Sequence, residues 1–162
     1  MEYSLDFSQR LIDAAKSFIG KDKTDNETAR AVLYLSLLSC EISLKALLER
    51  AGYDIKDLIK RSHNFNGLVE DLCHCDLQGT GIGGSKPFSA AELLSQEVDP
   101  KIDNGTVGAL LMGEEQGASK YPNEIRYGEL IRHFPPLTML DCASKVVEWA
   151  REHIAIIKKR DT

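Results

Sequence analysis

The sequence predicts a single all-α domain. Residues 26–50 form a long, nearly all-apolar run, opened by Asn26 and stopped by Gly52. Residues 138–159 carry a second apolar stripe at helical spacing. Between these runs, shorter apolar-periodic segments are punctuated by Asp, Asn, Ser, Gly and Pro at capping positions. The whole chain, residues 1–162, has the size of one domain and can bury one core.

The elements follow in order. Asp6 or Ser8 caps a first helix that reaches Ile19, with Leu11, Ile12, Ala15, Phe18 and Ile19 on one face and Gly20 beyond its end. The second helix runs from Asn26 to Arg50. At about 100° per residue its side chains sort into four stripes. Arg30, Tyr34, Glu41 and Lys45 share one; Ser36, Ser39, Ser43 and Ala46 lie opposite. Val32, Leu35, Leu38 and Ile42 fill one flank, and Leu33, Leu37, Leu44 and Leu47 the other. A helix apolar on two flanks is packed on both, and the serine stripe admits a close neighbour.

Asp54 caps a turn over 55–61. Ser62 and Asn64 open a helix from Phe65 to Leu77, with Phe65, Leu68, Val69 and Leu72 inward. Residues 78–87 read as a flexible loop. Its string Gly79-Thr80-Gly81-Ile82-Gly83-Gly84 matches a dinucleotide fingerprint but lacks the preceding strand and following helix, and Ser85 stands where a phosphate loop needs lysine. A short helix to Val98 and another over 105–117 complete the middle. Lys120–Leu137, with Pro122, Gly128, Pro135 and Pro136, reads as extended structure. Thr138 with Asp141 resembles a capping box for a last helix to Lys159, whose stripe is Leu140, Ala143, Val146, Val147, Ala150, Ile154 and Ile157.

Composition narrows the function. At 43% hydrophobic and 28% charged residues, the chain is neither disordered nor a membrane protein by composition. Its net charge of −5 argues against generic duplex DNA as a partner, while permitting a local basic site. The start, Met1-Glu2-Tyr3-Ser4-Leu5-Asp6, is acidic where a signal peptide is basic. No stretch approaches the roughly 18–20 apolar residues of a membrane span. A cytoplasmic location, with no membrane association, is the expectation. Cys40 and Cys142 lie on apolar faces as small buried hydrophobes. Cys73-His74-Cys75, with His63 upstream, invites zinc, but the cysteine spacing is wrong and the two thiols would diverge on a helix. No metal and no cofactor are expected.

Three stretches carry a resemblance. The run Ala31–Leu48, with Glu41 and Lys45 one turn apart; His63-Asn64-Phe65 followed by Leu68 and Leu72; and Ile125-Arg126-Tyr127 before the last helix together resemble the HEPN superfamily over about residues 25–158. The resemblance implies an up-and-down bundle of four to five main helices with a variable middle insertion, in a homodimer. It also implies a toxin–antitoxin or defence setting, and RNA, a nucleotide or a nucleotidyltransferase-type protein as partner. Catalytic members cleave RNA without metal, using an arginine and a histidine separated by four to six residues, which meet across the dimer. Arg126 and His133 match the outer limit of that spacing. Tyr127 stands where a polar residue is usual, Gly128 interrupts the motif, and Phe134-Pro135-Pro136 sets His133 ahead of the last helix.

Each candidate has a plain alternative. Arg126 is either a phosphate-holding cation or an ion-pair residue buried against Glu41 or a neighbouring acid. His133 is a general acid–base group or a loop histidine. Glu41 and Lys45 form either an exposed helical pair of small value or a polar lining that faces Arg126 or a ligand. His63 has a local structural or pocket role, and Tyr127 joins it as a binding candidate. Lys158-Lys159-Arg160 suits the last turn of a helix. Three readings remain: a nucleotide- or RNA-associated dimer, a metal-independent endoribonuclease using Arg126 and His133, and a pure protein-interaction domain.

Overall fold

The computed structural model describes residues 1–20, 25–79 and 88–161. The fold is mostly helical: α1 (Leu5–Ser17), α2 (Asn26–Ala51), α3 (Ile55–Arg61), α4 (Phe65–Cys73), α5 (Val107–Leu111), α6 (Asn123–Tyr127) and α7 (Pro136–His153). Two 3₁₀ turns, Ala90–Ser95 and Gly113–Gln116, and three short strands, β1 (Cys75–Leu77), β2 (Phe88–Ser89) and β3 (Ile157–Lys159), complete it.

α2 is the central element, with α1 and α7 along it and α4, α6 and β3 against it. Asp25, one residue before the expected cap, accepts the Thr28 N–H at its start, and Gly52 closes its end at φ 110°, where a side chain would be strained. Ser4 caps α1 in place of Asp6 or Ser8, while Asp54 and Asn64 cap α3 and α4 as the sequence predicts. Ser36, Ser39, Ser43 and Ala46 are all fully buried. Ser39 Oγ donates to the carbonyl of Ser8 at 2.9 Å, so the small stripe seats α1 of the same chain and is not open to a second copy. The flank Leu33, Leu37, Leu44 and Leu47 is buried; on the other, Val32 is buried while Leu35, Leu38 and Ile42 are half-buried. By length and composition α2 is apolar enough to cross a membrane, which corrects the sequence expectation; 72% of its most apolar window is buried inside this fold. A helix surrounded by its own core needs the same composition.

The fold is mostly helical, as the sequence predicts, and carries in addition a small three-stranded sheet. α4 was expected to continue to Leu77 and the last helix to Lys159. Instead the tail of each turns extended and the two pair antiparallel, Cys75 opposite Lys159 and Leu77 opposite Ile157. β2 adds to the far side of β1, giving the order β2-β1-β3. Leu77 and Ile157 both enter the core. Arg160 clamps Asp76 with two hydrogen bonds of 3.0 and 2.6 Å, and donates its backbone N–H to the carbonyl of His74. Pairing between segments so distant in sequence leaves no local periodic signal, and it overrides helix propensity. Lys158–Arg160 therefore lie on and just after a strand, not in a helical last turn.

Two further segments differ from expectation. Lys120–Leu137 contains α6, and it pairs locally where Ser119 and Arg132 exchange bonds, backbone to backbone and backbone to Ser119 Oγ. α7 starts at Pro136, whose fixed φ suits a first helical position. Thr138 and Asp141 do not cap it. Thr138 donates to Asp103 and Asp141 accepts the Asp99 N–H, so both tether the loop before α5. Phe18 and Ile19 lie beyond α1 and are exposed. The glycine-rich string beyond Gly79 falls outside the described residues.

A candidate site around a buried glutamate

Glu41 sits in the middle of α2 and is 3% exposed. A buried carboxylate is tolerated only where charge and donors compensate it. Lys45 Nζ, one turn on, donates to Oε1 at 2.8 Å. His63 Nδ1 meets Oε2 at 2.8 Å, and the Tyr121 hydroxyl donates to the same oxygen at 2.8 Å. The reading of Glu41 and Lys45 as an exposed pair is thereby overturned: their side chains are 4% and 6% exposed. Glu41 faces His63 and Tyr121, and the Lys45 ammonium lies 5.4 Å from the centre of the Tyr3 ring.

Local structure explains the convergence. Ser62 holds φ at 49°, a region non-glycine residues rarely occupy. This turn joins α3 to α4 and brings His63 against α2, while Asn64 starts α4. Tyr121 precedes α6 and packs among Tyr34, Phe65 and His63, with ring centroids 5.9, 5.4 and 5.6 Å away. Burial, and then the Glu41 charge, push its phenol well above the ordinary range, so it stays a donor.

Arg30, also on α2, donates to the carbonyls of Ile125 (2.9 and 3.1 Å) and Arg126 (2.6 Å), holding the C-terminal end of α6 on the central helix. The whole polar stripe of α2 is thus used: Arg30 and Tyr34 seat α6 and Tyr121, and Glu41 and Lys45 form the buried pair. Arg126 itself is exposed. Its guanidinium lies 5.8 Å from the Tyr34 ring and 5.3 Å from the Tyr127 ring, and donates to Asn123 at 3.2 Å. Among the described residues it pairs with no carboxylate, so the alternative of Arg126 as a buried partner of Glu41 is corrected. Tyr127 is 76% exposed.

His133 stands elsewhere. Its ring is edge-on to Phe134 at 5.8 Å and lines a cavity with Gly113, Gly117 and Arg132. Burial lowers its pKa, partly offset by the neighbouring Phe134 backbone. No hydrogen bond, ion pair or ring contact joins it to Arg126 within the chain. Tyr34, Tyr121 and Arg30 escape a motif search. Arg30 and Tyr34 were legible as members of the Glu41 stripe, whereas Tyr121 lies in a segment without periodicity. Cys73 ends α4 while the buried Cys75 begins β1. Among the described residues no three His, Cys, Asp or Glu side chains are grouped to hold a metal.

Compared with known protein families, with curated proteins and with solved structures, the chain matches none.

Chemically, the arrangement offers a buried polar core and an exposed cationic surface. Glu41 is saturated by donors and is not free to act on a substrate. Arg126 and Tyr127 present a cation and an aromatic face to solvent, with His63 Nδ1 fixed and the rest of its ring half exposed. Such a pair can take a phosphate on the guanidinium and a base on the ring.

Proposed function

We propose that the chain is a HEPN-like helical module that binds RNA through the surface around Arg126 and Tyr127, without cleaving it there. One observation carries the reading: an exposed guanidinium lies beside two tyrosine rings, and among the described residues no carboxylate pairs with it. The HEPN-like part is supported by convergence. The three stretches behind the resemblance, Glu41 with Lys45, His63 with Asn64, and Arg126 with Tyr127, meet around Tyr34 and Tyr121. A homodimer belongs to the same reading, through the half-buried flank Leu35, Leu38 and Ile42 and not through the serine stripe. Sedimentation should then give about twice the 18.0 kDa chain mass at micromolar concentration.

The test is fluorescence anisotropy with a labelled single-stranded oligoribonucleotide. Wild type should bind, more weakly as salt rises. Tyr127→Ala should weaken binding by the worth of one stacked base, about 1–3 kcal/mol, and Arg126→Ala should also flatten the salt dependence. No binding, or binding indifferent to both changes, refutes the reading and leaves the protein-interaction alternative. Chelator-insensitive cleavage to a 2′,3′-cyclic phosphate, lost in His133→Ala, would instead establish the endoribonuclease, with the two motifs meeting across a dimer.

A further inference from the structure

The three-stranded sheet leaves one backbone edge without a partner. Between β1 and β3, Gln78 N–H donates to the carbonyl of Ile156, and Arg160 N–H to that of His74, both at 2.8 Å. Bonded and non-bonded pairs alternate along an antiparallel ladder. Asp76 and Lys158, midway between those two pairs, therefore exchange bonds, while the facing residues Leu77 and Ile157, and Cys75 and Lys159, do not. On β1 the groups of Leu77 turned away from β3 face Phe88 of β2. β3 is the last strand in the order β2-β1-β3. The N–H and C=O of Ile157 and of Lys159 thus point out of the sheet, and among the described residues no group bonds them. Two donor–acceptor sets spaced two residues apart are what an added strand pairs with.

The side chains select the strand. Lys158, Lys159 and Arg160 are consecutive exposed cations on a chain of net charge −5. Arg160 is taken by Asp76; among the described residues neither lysine pairs with a carboxylate. Lys159 lies 4.5 Å from the centre of the Tyr53 ring and lines two grooves, one of about 430 Å³ with Lys60 and one of about 370 Å³ with Gly52. The acids of the first are engaged, Asp71 by Arg61 at 2.7 Å and Asp57 by Lys60 at 3.3 Å; Asp161 adds one opposing charge to the second. A second copy does not suit this edge. Antiparallel pairing of two such strands through Ile157 and Lys159 sets each Lys158 opposite the other, and like charges directly opposite are unfavourable. Edge lysines guard sheets against self-pairing in this way, and they favour a strand that carries acids.

We propose that this edge binds an extended acidic segment of another protein, which adds a fourth strand beside β3. Its backbone bonds Ile157 and Lys159, and its carboxylates lie beside the two lysines. The edge adjoins the C-terminal end of α2 at Gly52, whereas Arg30 holds α6 near the other end, so the site does not depend on RNA binding at Arg126.

The experiment adds to the full chain a fluorescent peptide of alternating glutamate and valine, about ten residues long to match a full strand. Anisotropy should show binding. The Ile157 and Lys159 amides should exchange with solvent at least about tenfold more slowly once the peptide is bound. The Lys158 amide, already bonded to Asp76, should change little. A twin N-methylated on two adjacent central residues keeps the charge but spoils both hydrogen-bonding edges, and should bind at least about tenfold more weakly. Lys158→Glu should weaken the peptide several-fold without disturbing the fold, since its side chain is exposed. Arg126→Ala should leave peptide affinity unchanged, which separates this site from the RNA surface. No binding, or equal binding of the methylated twin, would overturn the proposal. Displacement of the peptide by a single-stranded oligoribonucleotide, with neither amide protected, would reduce the lysines to a cationic patch and overturn it too. Protection of both amides in the free chain that grows with protein concentration would give the edge to a second copy instead.

Discussion

Tyr121 donates its hydroxyl to the same carboxylate oxygen of Glu41 that His63 engages, across 80 residues of sequence. This bond ties the otherwise irregular segment before α6 to the centre of the fold. Removing it in Tyr121→Phe leaves the ring packing among Tyr34 and Phe65 intact and deprives a buried carboxylate of one donor. The expected cost is about 1.5–3 kcal/mol, the worth of a hydrogen bond to a charged group. Urea unfolding monitored by circular dichroism measures it. An unchanged midpoint would mean that Lys45 and His63 satisfy Glu41 alone.

Lys45→Met should cost more. It preserves the length of the side chain but leaves Glu41 only the Tyr121 hydroxyl and the His63 ring, and breaking a buried pair on one side typically costs about 3–5 kcal/mol. Arg126→Ala should leave the unfolding midpoint near wild type, because its guanidinium is exposed and pairs with no acid among the described residues. The order of these two variants is the discriminating result. If Arg126→Ala were the more damaging, the arginine would be part of the structural core and not of a binding surface.

The cysteines differ in reach. Cys40 and Cys142 are buried between α2 and α7, and hydrogen bonding by Cys40 together with burial raises the Cys142 thiol well above its ordinary range. Burial pushes the Cys75 thiol up to about 11. Only Cys73 is partly open to solvent. Thiolate, not thiol, is the reactive form. A disulfide-exchange reagent at neutral pH should therefore label Cys73 in the native chain, and the other three only after denaturation. Rapid labelling of Cys75 in the native state would contradict the burial of β1.

Helices that bury a continuous face were legible from sequence because period and burial coincide. Phe65, Leu68, Val69 and Leu72 face inward as expected, as do Leu140, Ala143, Val146, Val147 and Ala150 on α7. Asp54, Asn64 and Gly52 act as punctuation because their chemistry is local. What escaped was non-local. β1 and β3 exist only because each supplies the other's backbone partners. The pairing of Tyr121 with Glu41 likewise follows from where α6 docks, which Arg30 decides through two carbonyls on the far side of the chain. The site was half legible for the same reason: the stripe on α2 announced Glu41, Lys45, Tyr34 and Arg30, but nothing announced what would cover them.

His133 makes a prediction about acid stability. Burial disfavours its charged form, so its pKa in the folded state lies below the ordinary value of about 6.5. The unfolded chain keeps that ordinary value. Above about pH 6.5 the ring is neutral in both states and costs nothing. As pH falls below it, the unfolded state takes up the proton first, and stability declines until the folded-state pKa is passed. The sign is therefore a loss of stability on acidification, opposite to that of a histidine charged by a carboxylate partner. His133→Gln keeps a polar side chain of similar reach and cannot titrate. Its urea midpoint should fall less than that of wild type between pH 7.5 and the onset of carboxylate protonation near pH 4.5, a window bounded by ordinary histidine and carboxylate pKa values of about 6.5 and 4. Parallel midpoints in the two proteins across that window would show that His133 is as solvated in the folded chain as in the unfolded one. His133 Nδ1, buried without a hydrogen-bond partner among the described residues, could then not be sealed in solution, and the groove it lines with Gly113 and Arg132 would have a different wall.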